Sequence, residues 1–477
     1  MKKNKSVILS LSIFLVILGI STLFHYPIHI EDALANSPIH DYDVSISFWR
    51  IAFEPVIGLL LFFNRSLYAL SELPITLVWI LIIFIIYTII KMVRIKEKKF
   101  IISQMINTPI VIGLWFTIFV IILFIPLPNN TIVNNSPNSI LVTTHSHTEY
   151  SHDGLISQKG LWDWHKRNGI DAFFITDHNN HAKTLDFVKA QRNNEFPIEP
   201  FVMCGEEFSG SNHLSLLGLK RKFNTRGYSD STVIDSVRSN NGAVIVNHWF
   251  DGENKSLEFY KNLGVDGFEI ENSATDRTYN REIYKKINDF CQSNDLILNG
   301  GLDFHGYGNV CSIWNAFEIP NWHSLNPDSK EEAILNIIRT QNQKKLKVLI
   351  YKDRPYYDQE YLILSPIFTS FNYFRTLNFY QLLSWIFWIS LLTLINIQIS
   401  GNEISKKRIS LNNLIPIVGS LSGLFMLGLA YTYYLNIENV IGYSEMFEEY
   451  SEILFYTGSA LFLYSTIIVY FRINKSQ

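Results

Sequence analysis

The chain is poor in cysteine, in net charge and in repetition. Cys204, Cys291 and Cys311 are the three cysteines in 477 residues. An odd number excludes a complete disulfide framework, and the spacing lacks the close pairs of a thiolate metal site. Such cysteines are read as small, buried apolar residues. Forty Lys and Arg face 43 Asp and Glu, for a net charge of -3. No basic excess is present to form a nucleic-acid face, so nucleic acid is not an expected partner. No internal repeat is evident.

Apolar residues are abundant. They make up 48% of the chain, with 34 Phe and 24 Tyr, and they are unevenly spread. Uncharged runs of bilayer length lie at about 7–24, 75–90 and 109–126, and again at 377–398, 412–434 and 452–471. They divide the chain into an N-terminal membrane block (1–126), a polar island (127–376) and a C-terminal membrane block (377–477). The first run follows Lys2, Lys3 and Lys5 and exceeds the apolar stretch of a signal peptide, so it reads as a retained anchor. Ala33-Leu34-Ala35 resembles a cleavage site but lies far beyond that run. Residues 51–63 are short and interrupted by Glu54-Pro55, flanked by Arg50 and Arg65, and read as re-entrant or interfacial. Lys91, Arg94, Lys96, Lys98 and Lys99, then Lys406, Lys407 and Arg408, then Arg472 and Lys475 fall in alternate loops. Placing all of these in the cytoplasm puts the island outside the cell membrane, with the bilayer as a partner.

The island opens with LPNNTIVNNSPNS, a Pro/Asn/Ser stretch read as a linker without regular structure. Strand-like runs follow at 140–144, 172–176, 199–204, 214–219, 243–247, 267–271 and 296–300. Helix-like stretches lie at about 157–168, 181–193, 230–240, 255–263, 278–293 and 328–341. This alternation predicts a parallel sheet with helices outside, closed or nearly closed into a barrel.

His145 and His147 directly follow the first strand, Asp177 and His178 the second, Glu207 the third, His248 the fifth, and Asp303 and His305 the seventh. The C-terminal strand ends of a β/α barrel meet on one face, where the active site sits. The His-x-His spacing on extended chain turns both rings to one side. Imidazole nitrogen with carboxylate oxygen and no thiolate suits Zn, Mn or Fe without choosing among them. Carboxylates that bridge two cations make a hydrolytic site with metal-activated water possible.

Together these residues resemble the PHP family, the polymerase and histidinol phosphatase domain, over about 140–350. An H-x-H-T-x-x-S-x-[DH] motif is met by His145, His147, Thr148, Ser151 and Asp153, a T-D-H by Thr176, Asp177 and His178, and a G-x-E by Gly205 and Glu207. An N-H is met at His248, and a G-x-D-x-H by Gly301, Asp303 and His305. The resemblance implies a distorted (β/α)7 barrel, inserted here between two blocks of transmembrane helices. It also implies two or three divalent metal ions and hydrolysis, most often of phosphate esters. It makes His145, His147, Asp153, His178, Glu207, His248, Asp303 and His305 the metal ligands. A subgroup with TDHN includes carbamate and amide hydrolases, so amide-type chemistry is an alternative. Trp249 stands where the family usually has Pro, and a ninth ligand expected at the end of the fourth strand has no counterpart at Leu219-Lys220. His213 begins that strand and is therefore read not as a ligand but as a catalytic group contacting substrate or moving a proton.

Asp177 is the other catalytic candidate, or a support for His178 or a helix N-terminus. Glu206 reads as a solvated or supporting neighbour, and Glu269 and Glu271 as pocket residues or salt-bridge partners. Arg277 and Arg281, four apart, could grip a phosphate but fit a solvated helix face better. His165 and His181 read as surface residues, and Trp385 and Trp388 as membrane packing or interface anchors. The expectation is a multi-pass membrane hydrolase acting on a small, envelope or lipid-linked substrate. A non-catalytic sensor is the rival, and a transporter finds little support, because the later spans carry no internal charge.

Overall fold

The computed structural model describes residues 2–63, 72–95, 98–251, 255–273, 281–308, 311–354, 363–400 and 411–474. Arg65, Lys96, Arg277, Lys406, Lys407, Arg408 and Lys475 lie outside them. The chain begins with α1 (Lys2–Leu23), three short strands β1 (His29–Asp32), β2 (Ser37–Pro38) and β3 (Tyr42–Ile46), then α2 (Phe48–Ala52) and α3 (Glu54–Phe63). Helices α4 (Glu72–Ile95) and α5 (Lys98–Phe124) complete the first block. The island runs β4 (Asn130–Asn134), β5 (Ser139–Thr143), α6 (Gln158–Arg167), β6 (Ala172–Ile175), α7 (Ala182–Arg192), β7 (Phe201–Ser209) and β8 (His213–Leu217). It continues α8 (Asp230–Ser239), β9 (Ala243–Val246), α9 (Leu257–Leu263), β10 (Gly267–Asn272), α10 (Arg281–Ser293) and β11 (Ile297–Gly301). Strand β12 (Ile313–Glu318), α11 (Pro327–Arg339), β13 (Leu346–Lys352) and α12 (Ser365–Arg375) follow. Helices α13 (Phe379–Ser400), α14 (Leu411–Tyr434) and α15 (Met446–Asn474) end the chain.

Each strand-like run becomes a strand, because Val, Ile and Phe in short runs fill a sheet buried on both faces. Helix starts are set by polar caps. Ser157, Ser229, Ser256 and Asn326 each accept an N–H three residues on, worth about 1 kcal/mol apiece.

The sheet differs from the expected parallel barrel. It has eleven strands in the order β11-β10-β9-β8-β7-β6-β5-β12-β13-β1-β2. β5–β6, β6–β7, β9–β10 and β10–β11 are parallel. β8 runs antiparallel to both β7 and β9, and β12 antiparallel to β5. Only three residues separate β7 from β8, too few for a crossover helix, so the chain turns back as a hairpin.

The backbone ladder does not close among the described residues. Side-chain amides bridge β11 to the β12–β13 side instead. The Asn315 amide accepts from Gly300 N–H at 2.7 Å and donates to Gly300 C=O at 2.8 Å. Gln343 does the same to Leu298, at 2.7 and 3.1 Å. These pairs satisfy edge groups that another strand would otherwise take.

The island also recruits chain from outside its boundaries. β1 pairs with β13, and β3 pairs with β4 from Tyr42↔Asn134 to Ile46↔Asn130. The stretch expected to hold no regular element therefore holds β4. Its Thr131, Ile132 and Val133 suit an extended pair once β3 supplies the partner.

Among the described residues, six helices are long and apolar enough to cross a membrane: Ser6–Leu23, Pro74–Arg94, Phe100–Phe124, Phe379–Ile399, Asn413–Tyr434 and Met446–Arg472. The ten residues of α3 rise about 15 Å, half a hydrocarbon core. The helices form two groups. α1, α3, α12 and α13 share a core around Ile17, Phe62 and Tyr373. α5, α14 and α15 share another around Ile110, Met426 and Leu461. α14 and α15 approach closely at Gly423 and Gly458, where a Cβ on Gly423 would meet the Phe462 backbone N at 2.6 Å.

Candidate metal centre

The convergence expected of the strand ends is present. His145 and His147 follow β5 on the same side of the chain, and their Nε2 atoms lie 3.1 Å apart. Glu207 Oε2 is 3.1 Å from His145 Nε2 and 3.2 Å from His147 Nε2. Asp303 Oδ1 is 3.2 and 3.1 Å from the same two atoms. The edges of a tetrahedron around a cation with 2.0–2.1 Å bonds measure about 3.3 Å. These four side chains thus already stand at ligand spacing, and all four are buried.

Asp153, His178 and His305 form a second group together with His147, which the two groups share. Asp153 Oδ2 lies 3.1 Å from His305 Nε2 and 3.4 Å from His178 Nε2. A third involves the other oxygen of Glu207. Its Oε1 is 3.1 Å from His213 Nδ1 and 3.2 Å from His248 Nε2. Glu207 stands between all three groups. Its Oε2 makes no hydrogen bond, yet it sits 3.1 to 3.3 Å from Nε2 of His145, His147 and His178. Three ring nitrogens converging on one carboxylate oxygen suit a cation between them better than three N–H donors. On this ground the donor set fits divalent metal ions.

Surrounding groups fix these side chains. Glu269 Oε1 accepts from His145 Nδ1 at 2.8 Å, which leaves the Nε2 lone pair facing the centre. A Cβ at Gly301 would overlap the Glu269 carboxylate, so the bare glycine lets that carboxylate reach His145. Ser151 Oγ donates to Asp153 Oδ1 at 2.6 Å and turns Oδ2 inward. Gly154 closes the same loop, since a Cβ there would strike the Thr148 carbonyl. Asn247 Nδ2 donates to Glu207 Oε1 at 2.8 Å. His305 Nδ1 donates to the Asp303 carbonyl at 2.9 Å. His248 and Asp303 hold left-handed backbone at φ 22° and 51°, a cost that concentrates at functional sites.

The electrostatics follow from packing imidazoles on carboxylates. Burial pushes the His145 pKa down, but Glu207, Asp303 and Glu269 outweigh it and leave it well above its ordinary value. Burial likewise opposes protonation of His147, and hydrogen bonds to Asp303 and Glu207 overcome it, raising the pKa to about 10. Burial would raise the Glu207 pKa, yet His145, His178 and His213 drive it well below the carboxylate range. Asp153 and Asp303 are lowered in the same way, against burial, by His305 and His145 foremost.

Several expectations change. The sequence sets His213 apart because it begins its strand, but β8 is antiparallel, so its start lies at the rim where its neighbours end. Register pairs His213 with Ser209, two residues from Glu207 and on the same face. The end of that strand, Leu219-Lys220, lies at the opposite end of the sheet and has no ligand to offer. Asp177 spends its carboxylate on Thr148 N–H at 2.6 Å, Thr148 Oγ1 at 2.8 Å and Thr184 Oγ1 at 3.4 Å. It therefore positions the His147–Thr148 segment. Glu206 is buried, not solvated, because side chains alternate along β7 and it points away from Glu207. It pairs with His181 Nδ1 and accepts from Thr225 Oγ1.

His181 and His165 are buried, not surface residues. His165 bonds Thr143 Oγ1 at 2.8 Å and stacks on Phe173, and burial lowers its pKa to about 3. The Glu271 carboxylate lies 3.6 Å from Arg281 Nη1, an ion pair away from the imidazoles. Trp388 donates to Ala52 C=O and Trp385 to Tyr373 Oη, both packing contacts between apolar helices.

A mixed α/β sheet with imidazoles and carboxylates clustered at its strand ends is an arrangement able to hold metal ions. Residues 143–292 match the family model described as PHP domain. No curated protein matches the sequence at a significant level. Among solved structures, the chain is similar to a two-domain protein from Bacteroides vulgatus containing a predicted PHP-like metal-dependent phosphoesterase. Identity is 15% over 48% of this chain and 69% of that one, with a TM-score of 0.34. It is also similar to PsfC from Pseudomonas syringae (16% identity, 49% and 98% covered, TM-score 0.32). A third is an amidohydrolase from Chromobacterium violaceum with bound sulfate and no metal (12% identity, 40% and 96% covered, TM-score 0.28). Scores this low carry no weight for activity.

Proposed function

We propose that the protein is a membrane-anchored, metal-dependent phosphoesterase. One observation carries this reading: a buried Glu207 Oε2 within 3.3 Å of three imidazole nitrogens. His145, His147, Glu207 and Asp303 would hold one divalent cation. Asp153, His178 and His305 would hold a second. His213 and His248 would hold a third with Glu207, whose two oxygens reach both neighbours. Such cations supply a water acid enough to attack at neutral pH and positive charge for the attacked group's oxygens. Glu269 keeps His145 in the ligating tautomer. Arg226, at the rim of the adjoining cavity, would bind phosphate oxygens. His152, on the same rim and exposed, would carry a proton to the leaving group from its Nε2.

The six apolar helices would cross the bilayer. With α3 not crossing, the ends of α4, α5 and α15 that carry Lys91, Arg94, Lys98, Lys99 and Arg472 share one side, opposite the island. The positive-inside rule then makes the island extracytoplasmic.

The test is hydrolysis of p-nitrophenyl phosphate by the full-length protein in detergent, reloaded with Mn or Zn. Metal-dependent turnover that disappears in His147→Ala supports the reading. Turnover of an aryl carbamate in place of the phosphate would move the assignment to amide-type chemistry. A metal-loaded protein inert to both would remove it.

A further inference from the structure

The rim that carries the candidate ligands rests on the membrane block. The loop between α14 and α15 reaches up to the first motif. Ser444 N–H donates to Glu149 C=O at 2.8 Å, and Glu445 N–H to His152 C=O at 3.1 Å. On the other side of the rim, Gly308 N–H donates to Leu123 C=O, in the last turn of α5, at 2.8 Å. Leu155 and Tyr307, from two ligand-bearing loops, share a buried core with Ile110, Val120, Tyr433 and Phe447.

The contact is aromatic. Tyr150 meets Tyr443 at 5.8 Å, Phe124 meets Tyr307 at 6.4 Å and Tyr450 at 5.0 Å, and Tyr443 stacks on Phe447 at 5.8 Å. Tyrosines gathered at the ends of apolar helices mark headgroup depth. This band lies directly beneath the ligand loops.

A cavity of about 540 Å³ opens beside the centre, where His178 lines it. Its lining joins His152, His178, Arg226 and Tyr228 from the island with Gly442 from the α14–α15 loop. Gly442 is four residues from the first residue of α15, at most about 14 Å of extended chain. A headgroup fits such a space. A substrate arriving from bulk water gains nothing from a membrane loop in the wall of its site.

We propose that the substrate is an amphiphile held in the leaflet beneath the rim, presenting a phosphate ester to the cavity while its apolar part stays in the bilayer. This rests on the phosphoesterase reading and names its substrate class. A lipid and a free phosphate ester share the reacting group and differ only in where they are held.

The test uses the full chain, loaded with Mn, in dodecyl maltoside mixed micelles. Dioleoyl phosphatidic acid is compared with glycerol 3-phosphate, with p-nitrophenyl phosphate as a control. Confinement to the surface should raise kcat/KM for the lipid at least about tenfold over the soluble ester. The rate should follow the lipid's mole fraction in the micelle, not its bulk concentration. Tyr443→Ala, which removes the contact with Tyr150, should raise the KM for the lipid. A second measurement places a bimane at Tyr228 in nanodiscs and asks whether lipid carrying a headgroup nitroxide quenches it; a label at Asn326 should not be quenched. Equal or faster cleavage of glycerol 3-phosphate overturns the proposal. So does cleavage of p-nitrophenyl phosphate with no action on the lipid, or an unquenched Tyr228 label. If none of the three esters is cleaved, the phosphoesterase reading fails and takes this inference with it.

Discussion

The two ends of the sheet bury carboxylates in opposite ways. At the N-terminal end, Asp171 and Asp266 immediately precede β6 and β10. Each accepts one backbone N–H from a neighbouring strand, Leu141 and Val244 respectively, at 2.8 Å. Burial raises both pKa values, Asp266 to about 6. At the C-terminal rim, Asp153, Glu207 and Asp303 are pulled down against burial by imidazoles. Burial alone therefore does not mark a functional carboxylate. The lower carboxylates are partnered by backbone donors and hold strand ends in register. The rim carboxylates face lone-pair donors that only protons or cations can reconcile.

This contrast can be broken in order of expected effect. His147→Ala should remove bound metal and lower hydrolysis by about a thousandfold, a loss in the range of a deleted charge-stabilising group. Metal analysis beside kcat/KM checks it, and Asp266→Ala should leave metal content unchanged. Glu269→Gln, which keeps the shape but not the charge behind His145, should weaken metal binding about 10- to 100-fold, readable in competition with a chelator.

Metal binding should also release protons. In the metal-free state His145 and His147 keep protons at pH 7, because their pKa values are raised, and those protons must leave before Nε2 can ligate. Affinity should therefore rise with pH, and calorimetry in buffers of different ionisation enthalpy should register the release.

At the other end, the Asp266 pKa is above its unfolded value near 3.9, so the folded state binds the extra proton. Stability from this group is fully present below about pH 4 and falls as pH rises toward about 6. Asp266→Asn should flatten that slope in chemical denaturation, a change of about 1–2 kcal/mol.

Much of this arrangement was legible in the sequence. Short β-branched and aromatic runs ended in His, Asp or Glu, and alternation along extended chain was enough to put His145 beside His147. Strand direction was not legible, since the alternation in LSLLGL is the same read either way. That is why the sequence sets apart His213, whose Nδ1 the fold brings to 3.1 Å from Glu207 Oε1. Glu269 and Glu271 shared one strand face, and no local pattern distinguished the carboxylate behind His145 from the one beside Arg281. His165 and His181 lay on polar-looking helix ends, and their burial depends on Phe173 and Glu206, which tertiary packing brings up. Asn315 and Gln343 act as strand substitutes only because β11 has an unpaired edge there.

The most direct measurement is the metal content of the full-length protein after reconstitution and removal of free ion. Cations held by Glu207 and its neighbours predict two to three equivalents of Zn, Mn or Fe per chain, with Glu207→Ala losing the most, since it touches every group. Less than one equivalent under every loading condition, or full occupancy in Glu207→Ala, would contradict a centre built around that side chain.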